Sequence, residues 1–515
     1  MRGLKTGRTD AGRFGSADAR GVALAVAGSI ALGLLPVLVS TGVGPQFVAM
    51  LLALTSFVVL AVYADVRRRG DLLSPLALSG AFYLLAYVAG SVFYWFNPRL
   101  GQEVPFVLPF GHEALMATVG LATLGWLGLA GGYFVRPFAF LGIKPLKLDA
   151  SREVRLRSLI IFYVVGWIAR LADVAAGQYF HGGKDFESTS GSTTSQLLHV
   201  VSILPAVVVA YVGISALLTR DRRLLTLYWV GLALDVAFYL PSGGRGQVAS
   251  VVFLALSVLY YVRHRVPLKA LVTAAALLIF VVFPIIHLYR GSGGQEGFTR
   301  TPVANLKRST AEYTGNGAGA TIFYGLGATF SRFSQVLIPA SLVEQDGNTF
   351  SVEPGSTLIW AASNFIPGAV WQNKPKVGNF AAESSYAMGL TSERTTSIAT
   401  TQIGEMFLNF GVIGVAVGMF FVGAVYRELS EWLRERRRRP MVLALYASMA
   451  YGLLGTGESI VAVGLVGSIR TLLALAFFVW ITSRFLDTRA SVGPLRSDRA
   501  GRLIGAVSLP TSYRA

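Results

Sequence analysis

The sequence predicts an all-α membrane protein, a polytopic bundle of about 12 transmembrane helices with one long, partly helical external loop. Hydrophobic residues make up 53% of the chain and charged residues 14%, whereas soluble domains carry roughly a quarter charged residues. The apolar residues come in blocks of about 17–25, the length that a helix needs to cross about 30 Å of hydrocarbon. Lysine and arginine collect in alternate connections between these blocks.

The predicted spans divide the chain into five parts. Basic, glycine-rich tails at 1–20 and 485–515 flank nine spans within 21–287, a loop at 288–401 and three spans within 402–484. A second apolar block follows 21–41 almost at once, so the first block is interpreted as an uncleaved span rather than a signal peptide. The predicted spans are 21–41, 45–64, 73–94, 112–135, 157–176, 196–217, 223–240, 246–262, 267–287, 402–425, 441–457 and 460–483.

The distribution of positive charge predicts the orientation. Most of the 45 lysines and arginines lie in the two tails and in every second connection. Basic residues are retained on the cytoplasmic side, so both termini are predicted inside and the 288–401 loop outside. The net charge of +18 therefore indicates topology and contact with anionic lipid. Nucleic acid is excluded as a partner because the basic runs have no interleaved aromatic residues and no recognisable binding fold.

The residue types also exclude several chemistries. The chain has no cysteine, which excludes disulfides, thiolate catalysis and cysteine-based metal sites. Its five histidines are scattered and match no metal-ligand spacing. We therefore predict no cofactor and no metal. The histidines are His112, His181, His199, His264 and His287.

The loop at 288–401 is predicted to be folded, because it contains many large apolar residues. Apolar residues at helical spacing over 329–343 predict an amphipathic helix on the membrane face, and 355–371 predicts a second. Pro367 and Gly368 end that second pattern. A folded cap over the outer mouth of the bundle follows from these features.

Ionisable residues within spans are costly, so each is expected to face a partner or a cavity. Asp235 requires a cation, and Arg245, Arg290 and Arg470 are the candidates. Arg170 and Asp173 are one helical turn apart and can pair with each other. The full set of such residues is Arg170, Asp173, Asp235, Glu405, Glu458 and Arg470.

Two arginines at predicted outer helix ends point to an anion. Arg245 lies in Ser242-Gly243-Gly244-Arg245-Gly246-Gln247, and Arg290 precedes a second glycine-rich turn. Glycines let the backbone approach a ligand closely, backbone amides in such a turn can form an anion-binding nest, and arginine binds phosphate through two nitrogens. The alternative is that these are ordinary turns with arginines that reach lipid headgroups.

Glu405 is the strongest candidate for a general base. It lies where the loop is predicted to re-enter the membrane, and partial burial would suit a carboxylate to that role. The alternative is a structural ion pair with an arginine. His287 is the second candidate for the base, against an interfacial structural role.

Three segments carry a family resemblance. Phe365-Ile366-Pro367-Gly368-Ala369-Val370-Trp371-Gln372-Asn373-Lys374-Pro375, Gly404-Glu405-Met406-Phe407-Leu408-Asn409-Phe410-Gly411-Val412-Ile413-Gly414 and Gly243-Gly244-Arg245-Gly246 resemble the bacterial oligosaccharide repeat-unit polymerases, the Wzy-type O-antigen polymerases. The resemblance covers roughly residues 160–430. Gly368 stands where the family often has arginine, which leaves Lys374 as the nearby cation.

The resemblance implies a metal-independent glycosyltransferase of the bacterial cytoplasmic membrane that polymerises a surface or secreted polysaccharide. Its substrates would be glycans linked to undecaprenyl diphosphate, and a flippase and a chain-length regulator of the same pathway would be partners. The implied roles are diphosphate binding by Arg245, Arg290, Arg332 and Lys374, base catalysis by Glu405 or His287, and charge pairing by Asp235 and Arg470.

Two other functions compete with polymerisation. A polysaccharide ligase would be favoured by a histidine in the external loop, but 288–401 contains none. A transporter or flippase of lipid-linked sugars predicts charges deep within spans and helices broken at mid-membrane. Most of the charged candidates here lie near predicted outer ends, which favours an externally facing active site.

Overall fold

The protein is an all-α, multi-pass membrane protein. The computed structural model describes residues 43–96, 111–140, 156–176, 200–263, 268–291, 302–315, 335–345, 354–363, 400–436, 440–461 and 464–486, with a few single positions between them. Ten helices in these ranges are long and apolar enough to cross a membrane, and no β-strand occurs in them. The predicted fold class is thereby confirmed.

The helices are numbered here in chain order. The first eight and the twelfth and thirteenth are the ten candidate spans, and the fourteenth has a shorter apolar stretch, Leu465–Phe477. A π-helical turn at Leu278–Val282 joins the two parts of α8. The helices are α1 Val43–Arg69, α2 Pro75–Phe96, α3 His112–Val135, α4 Leu156–Ala175, α5 Leu204–Thr219, α6 Arg222–Tyr239, α7 Arg245–Arg263, α8 Leu268–Leu277 with Phe283–Gly291, α9 Pro302–Gly315, α10 Leu337–Glu344, α11 Ser356–Ser363, α12 Thr401–Arg436, α13 Pro440–Leu454 and α14 Leu465–Leu486.

The predicted spans from 45–64 onward each coincide with one of these helices to within several residues. The predicted first span, 21–41, lies outside the described residues. Helices α1, α3 and α7 begin at one end of the bundle, called here the loop end. The other end carries Arg69, Arg136 and Arg263 and is called the basic end.

Two large hydrophobic cores lie in the described part of the bundle. One is formed mainly by α1, α2, α3 and α12, and the other mainly by α4, α5, α6, α7 and α13. Leu454, at the end of α13, packs against both cores. The break between α13 and α14 therefore lies where the two halves of the bundle meet.

The sequence predicts one span over 402–425, but helix α12 is interrupted within that range. Phe410 and Gly411 have non-helical backbone angles, and Gly411 has a φ of 63°. A Cβ added at Gly418 would lie 2.2 Å from the Met406 sulfur, so Thr401–Asn409 folds back against the helix that follows Gly411. The first part of α12 is a re-entrant half-helix, and its first residues, Thr401 and Gln402, are buried.

The described loop helix α10 is not an amphipathic surface helix, contrary to the prediction for 329–343. Its residues from Leu337 to Leu342 are all buried, because this stretch is apolar on every side and such helices are buried. The Gln335 amide donates to the carbonyl oxygen of Ala86, 3.4 Å away. Ala86 lies in a π-helical turn near the middle of α2, so the loop reaches deep into the bundle.

A second π-helical turn also meets the loop. The hydroxyl of Tyr313 in α9 donates to the carbonyl oxygen of Phe280, within the π-helical turn of α8. Such turns interrupt the i to i−4 hydrogen-bond pattern of an α-helix and recur at functional sites. Helix α9 and Gln335, just before α10, therefore contact α8 and α2 where the span geometry is irregular. The second predicted loop helix corresponds to α11, and most of 364–371 lies outside the described residues.

Candidate functional site

The Arg245 motif forms the turn between α6 and α7 at the loop end. Gly243 has a φ of 72°, a left-handed conformation that favours glycine. The Ser242 hydroxyl accepts a hydrogen bond from the Gly244 amide at 3.2 Å and donates to the Tyr239 carbonyl oxygen at 2.7 Å. Ser242 therefore fixes the turn that directs the chain into α7.

Gly244 lies directly under the Gln247 side chain. A Cβ at Gly244 would lie 1.8 Å from Oε1 of Gln247, because the Gln247 side chain folds over the turn. A Cβ at Gly246 would lie 3.4 Å from the hydroxyl of Tyr451 in α13. The glycines of the motif thus allow Gln247 and Tyr451 to lie against the backbone on either side of Arg245.

These residues line a pocket of about 460 Å³, enclosed by α5, α6, α7 and α13. Small-molecule sites commonly measure about 300–1,000 Å³, so the pocket can hold the reacting part of a larger substrate. Apolar residues of α5 and α7 form much of its wall. Its polar and charged lining residues are Asp235, Tyr239, Arg245, Gln247, Ser250, Ser448 and Tyr451.

The electrostatics on the Arg245 side of the pocket favour an anion. Arg245 is the first residue of α7 and is 9% exposed. The amides of a helix's first turn lack partners within the helix, and the helix dipole is positive there. A guanidinium group at that position adds a full positive charge. The arrangement can hold a phosphate or carboxylate group.

Asp235 pairs with Arg170, which is not among the partners predicted for it. Arg170 Nη1 lies 2.5 Å from Asp235 Oδ1, and both side chains are 1% exposed. Arg170 is therefore not paired with Asp173 as proposed from their spacing. Arg470 is partly buried on α14, which packs against α13 and α4, and it is not the partner of Asp235.

The end of α8 lies beside the Arg245 turn. The Tyr289 hydroxyl donates to the Pro241 carbonyl oxygen at 2.8 Å. The contact joins the end of α8 to the turn, while the side chains of His287 and Arg290 lie outside the described residues. Arg332 and Lys374 also lie outside the described residues.

Glu405 is not part of the pocket wall that contains Arg245. It is completely buried in the re-entrant half of α12, where Oε2 accepts a hydrogen bond of 2.6 Å from the Val461 amide. It is not among the described residues that line the pocket. Base catalysis by Glu405 therefore stays a prediction.

Residues 180–434 match the family model of a domain of unknown function, DUF8712. No curated protein and no solved structure shows significant similarity to the chain. The DUF8712 match includes α5–α12, and so contains Asp235, Arg245 and Glu405. It leaves out Arg170 and the α13 wall of the pocket.

Sequence reasoning missed Arg170 as the partner of Asp235 and missed the α13 residues of the pocket. Ser448, Tyr451 and Gly452 lie three or four residues apart on one face of α13. That polar face on an otherwise apolar helix was the available signal. Among the described residues no group of three or more His, Cys, Asp or Glu side chains could hold a metal ion.

Proposed function

We propose that the protein is a polymerase that joins undecaprenyl-diphosphate-linked oligosaccharide repeat units into a surface or secreted polysaccharide, on the outer face of the bacterial cytoplasmic membrane. The position of Arg245 carries this proposal. It begins a helix at a glycine turn and lines a pocket that has both polar and apolar walls inside an apolar bundle. Such a pocket suits a substrate that joins a diphosphate and a sugar to a long apolar chain.

The proposed reaction forms one glycosidic bond. A hydroxyl of the acceptor attacks the anomeric carbon of the donor sugar, the bond from that carbon to the diphosphate oxygen breaks, and undecaprenyl diphosphate leaves with the bonding electrons. Arg245 and the first amides of α7 stabilise the negative charge that develops on the leaving group. Arg290, next along the chain from Tyr289, is the second proposed phosphate ligand. Arg332 and Lys374 are also proposed to bind the diphosphate.

Helix α6 supports access from the bilayer. Only 22% of its most apolar stretch is buried inside the protein, although Asp235 and Tyr239 on the same helix line the pocket. Leu227, Val230 and Leu234 are 45–58% exposed and recur at helical spacing. We propose that the polyprenyl chain lies along this apolar surface while its diphosphate enters the pocket.

One observation favours a second function, the translocation of lipid-linked sugars. Transporters use discontinuous helices whose half-helix ends lie within the membrane. The re-entrant half of α12, with Glu405 completely buried, has that form. Glycan transfer accounts better for the arginine-lined pocket at the loop end, so translocation is the alternative.

Deletion of the gene distinguishes the two functions. A polymerase deletion leaves single repeat units on the outer leaflet and removes long chains, whereas loss of a flippase accumulates lipid-linked units on the inner leaflet. Complementation with Arg245→Ala should not restore long chains. Arg223→Ala is the matched control, because Arg223 is an exposed arginine near the start of the preceding helix, at the basic end. Long chains restored by Arg245→Ala at the wild-type protein level would contradict the proposal.

A further inference from the structure

Within the part of the chain that the structure describes, one carboxylate oxygen of Asp235 has no partner. Its side chain is buried in the wall of the pocket that Arg245 also lines. Oδ1 is bound by Arg170, while Oδ2 accepts no hydrogen bond from any described residue. A buried polar atom left unpaired is unfavourable, so the ligand-free site contains an acceptor that a hydroxyl group could satisfy.

Arg170 is held firmly in place. Its Nε donates to the Ser202 carbonyl oxygen at 3.0 Å. Its guanidinium carbon lies 4.9 Å from the ring centre of Trp167, 5.4 Å from Phe238 and 5.1 Å from Tyr239. These contacts leave the guanidinium little freedom, and they fix the position of the Asp235 carboxylate through Oδ1.

The geometry of the pair is unusual for a purely structural contact. Arginine and carboxylate commonly form two parallel hydrogen bonds, which satisfy both oxygens. Here one hydrogen bond joins the two groups, and Asp235 Oδ2 and Arg170 Nη2 have no hydrogen-bond partner among the described residues. The pair therefore orients a carboxylate while leaving one of its oxygens available.

We infer that Asp235 receives the proton of the acceptor hydroxyl in the glycosyl transfer, and that Arg170 positions it. This inference rests on the proposed function. As the hydroxyl oxygen bonds to the anomeric carbon, its proton passes to Oδ2 while the diphosphate leaves toward Arg245. Oδ2 is covered in the ligand-free structure, so entry of the acceptor must open the pocket wall there. The proton then returns to solvent or to the departing diphosphate.

The test separates binding from turnover. Wild type, Arg245→Ala, Asp235→Asn and the double variant Arg170→Gln with Asp235→Asn are purified and reconstituted in liposomes. The double variant removes both charges of the pair, so no buried charge is left without its counter-ion. Undecaprenyl diphosphate is the probe for binding, and lipid-linked repeat units extracted from the deletion strain are the substrate for turnover.

We expect Asp235→Asn to bind undecaprenyl diphosphate as wild type does while its turnover falls about 100-fold or more, the range of a lost general base. Arg245→Ala should weaken binding itself. The inference is overturned if folded Asp235→Asn or the folded double variant turns over within threefold of wild type, or if Asp235→Asn loses binding in parallel with turnover. Failure of wild type to extend chains instead overturns the proposed function.

Discussion

The amide of Val461 donates a 2.6 Å hydrogen bond to Oε2 of Glu405. The bond joins the re-entrant half of α12 to the break between α13 and α14. Asn409, four residues further along α12, donates to the Thr357 hydroxyl at 2.8 Å and accepts from the Gly355 amide at 3.0 Å. The re-entrant half-helix is thus fixed both to α14's entry and to the start of α11.

This contact predicts how Glu405 responds to substitution. Glu405→Gln keeps a carbonyl oxygen for the Val461 amide, so the protein should remain stable. Because Asp235 is the proposed proton acceptor, chain growth should stay within threefold of wild type. Glu405→Leu leaves that buried amide unpaired, which costs about 1–3 kcal/mol. Thermal unfolding and chain-length analysis measure both effects. Loss of chain growth in a stable Glu405→Gln protein would instead support the catalytic base predicted from the sequence.

Hydropathy and charge predict the spans well because each full crossing requires a long apolar block. They do not predict the reversal at Gly411, since a half-helix and the start of a full span have the same apolar composition. The pairing of Arg170 with Asp235 was missed because the two residues are on different helices and each had a nearer candidate partner. The Arg245 turn is formed by residues adjacent in the sequence and was predicted. The place of Tyr451 in the pocket wall was not, because it depends on which helices are neighbours.

The packing of α3 against α12 predicts opposite results for two adjacent glycines. A Cβ at Gly132 would lie 1.8 Å from the Phe420 carbonyl oxygen, a backbone atom that cannot move alone. At Gly131 the nearest atom would be 3.6 Å away, an ordinary contact. Gly132→Ala should therefore lower the free energy of unfolding by about 1–3 kcal/mol or more, and Gly131→Ala should leave it unchanged. Equal thermal stability of the two variants in detergent would contradict this packing.

The basic end contains an ion-pair network that should contribute to stability. Glu431 lies 3.1 Å from Arg69 and 2.8 Å from Arg427, and Arg69 is also 2.7 Å from Asp65. Glu431→Gln removes the charge shared by these largely buried arginines and should cost on the order of 3 kcal/mol.

Arg136 provides the control for that network. Its side chain is 43% exposed and 3.7 Å from Glu431, and exposed pairs contribute about 0–1 kcal/mol. Arg136→Ala should therefore have little effect in the same unfolding experiment. If Arg136→Ala lowers the free energy of unfolding more than Glu431→Gln does, burial does not determine how much each ion pair of this network contributes to stability.

The absence of cysteine makes the orientation directly measurable, because one introduced cysteine is the only thiol. Glu113 and Arg223 are exposed and lie at the loop end and the basic end, respectively. A membrane-impermeant maleimide should label Glu113→Cys in spheroplasts and should label Arg223→Cys only after the membrane is opened. The reverse pattern would place the pocket on the cytoplasmic side.

Chain extension by the purified protein tests the central proposal most directly. Wild type in liposomes, supplied with lipid-linked repeat units from the deletion strain, should produce a ladder of longer chains and release undecaprenyl diphosphate. Arg245→Ala should extend chains about 100-fold or more slowly, the cost of losing a charge-stabilising group, while Arg223→Ala should match wild type. No extension by wild type, or extension by Arg245→Ala at the wild-type rate, would contradict a glycan polymerase that acts through the Arg245 pocket.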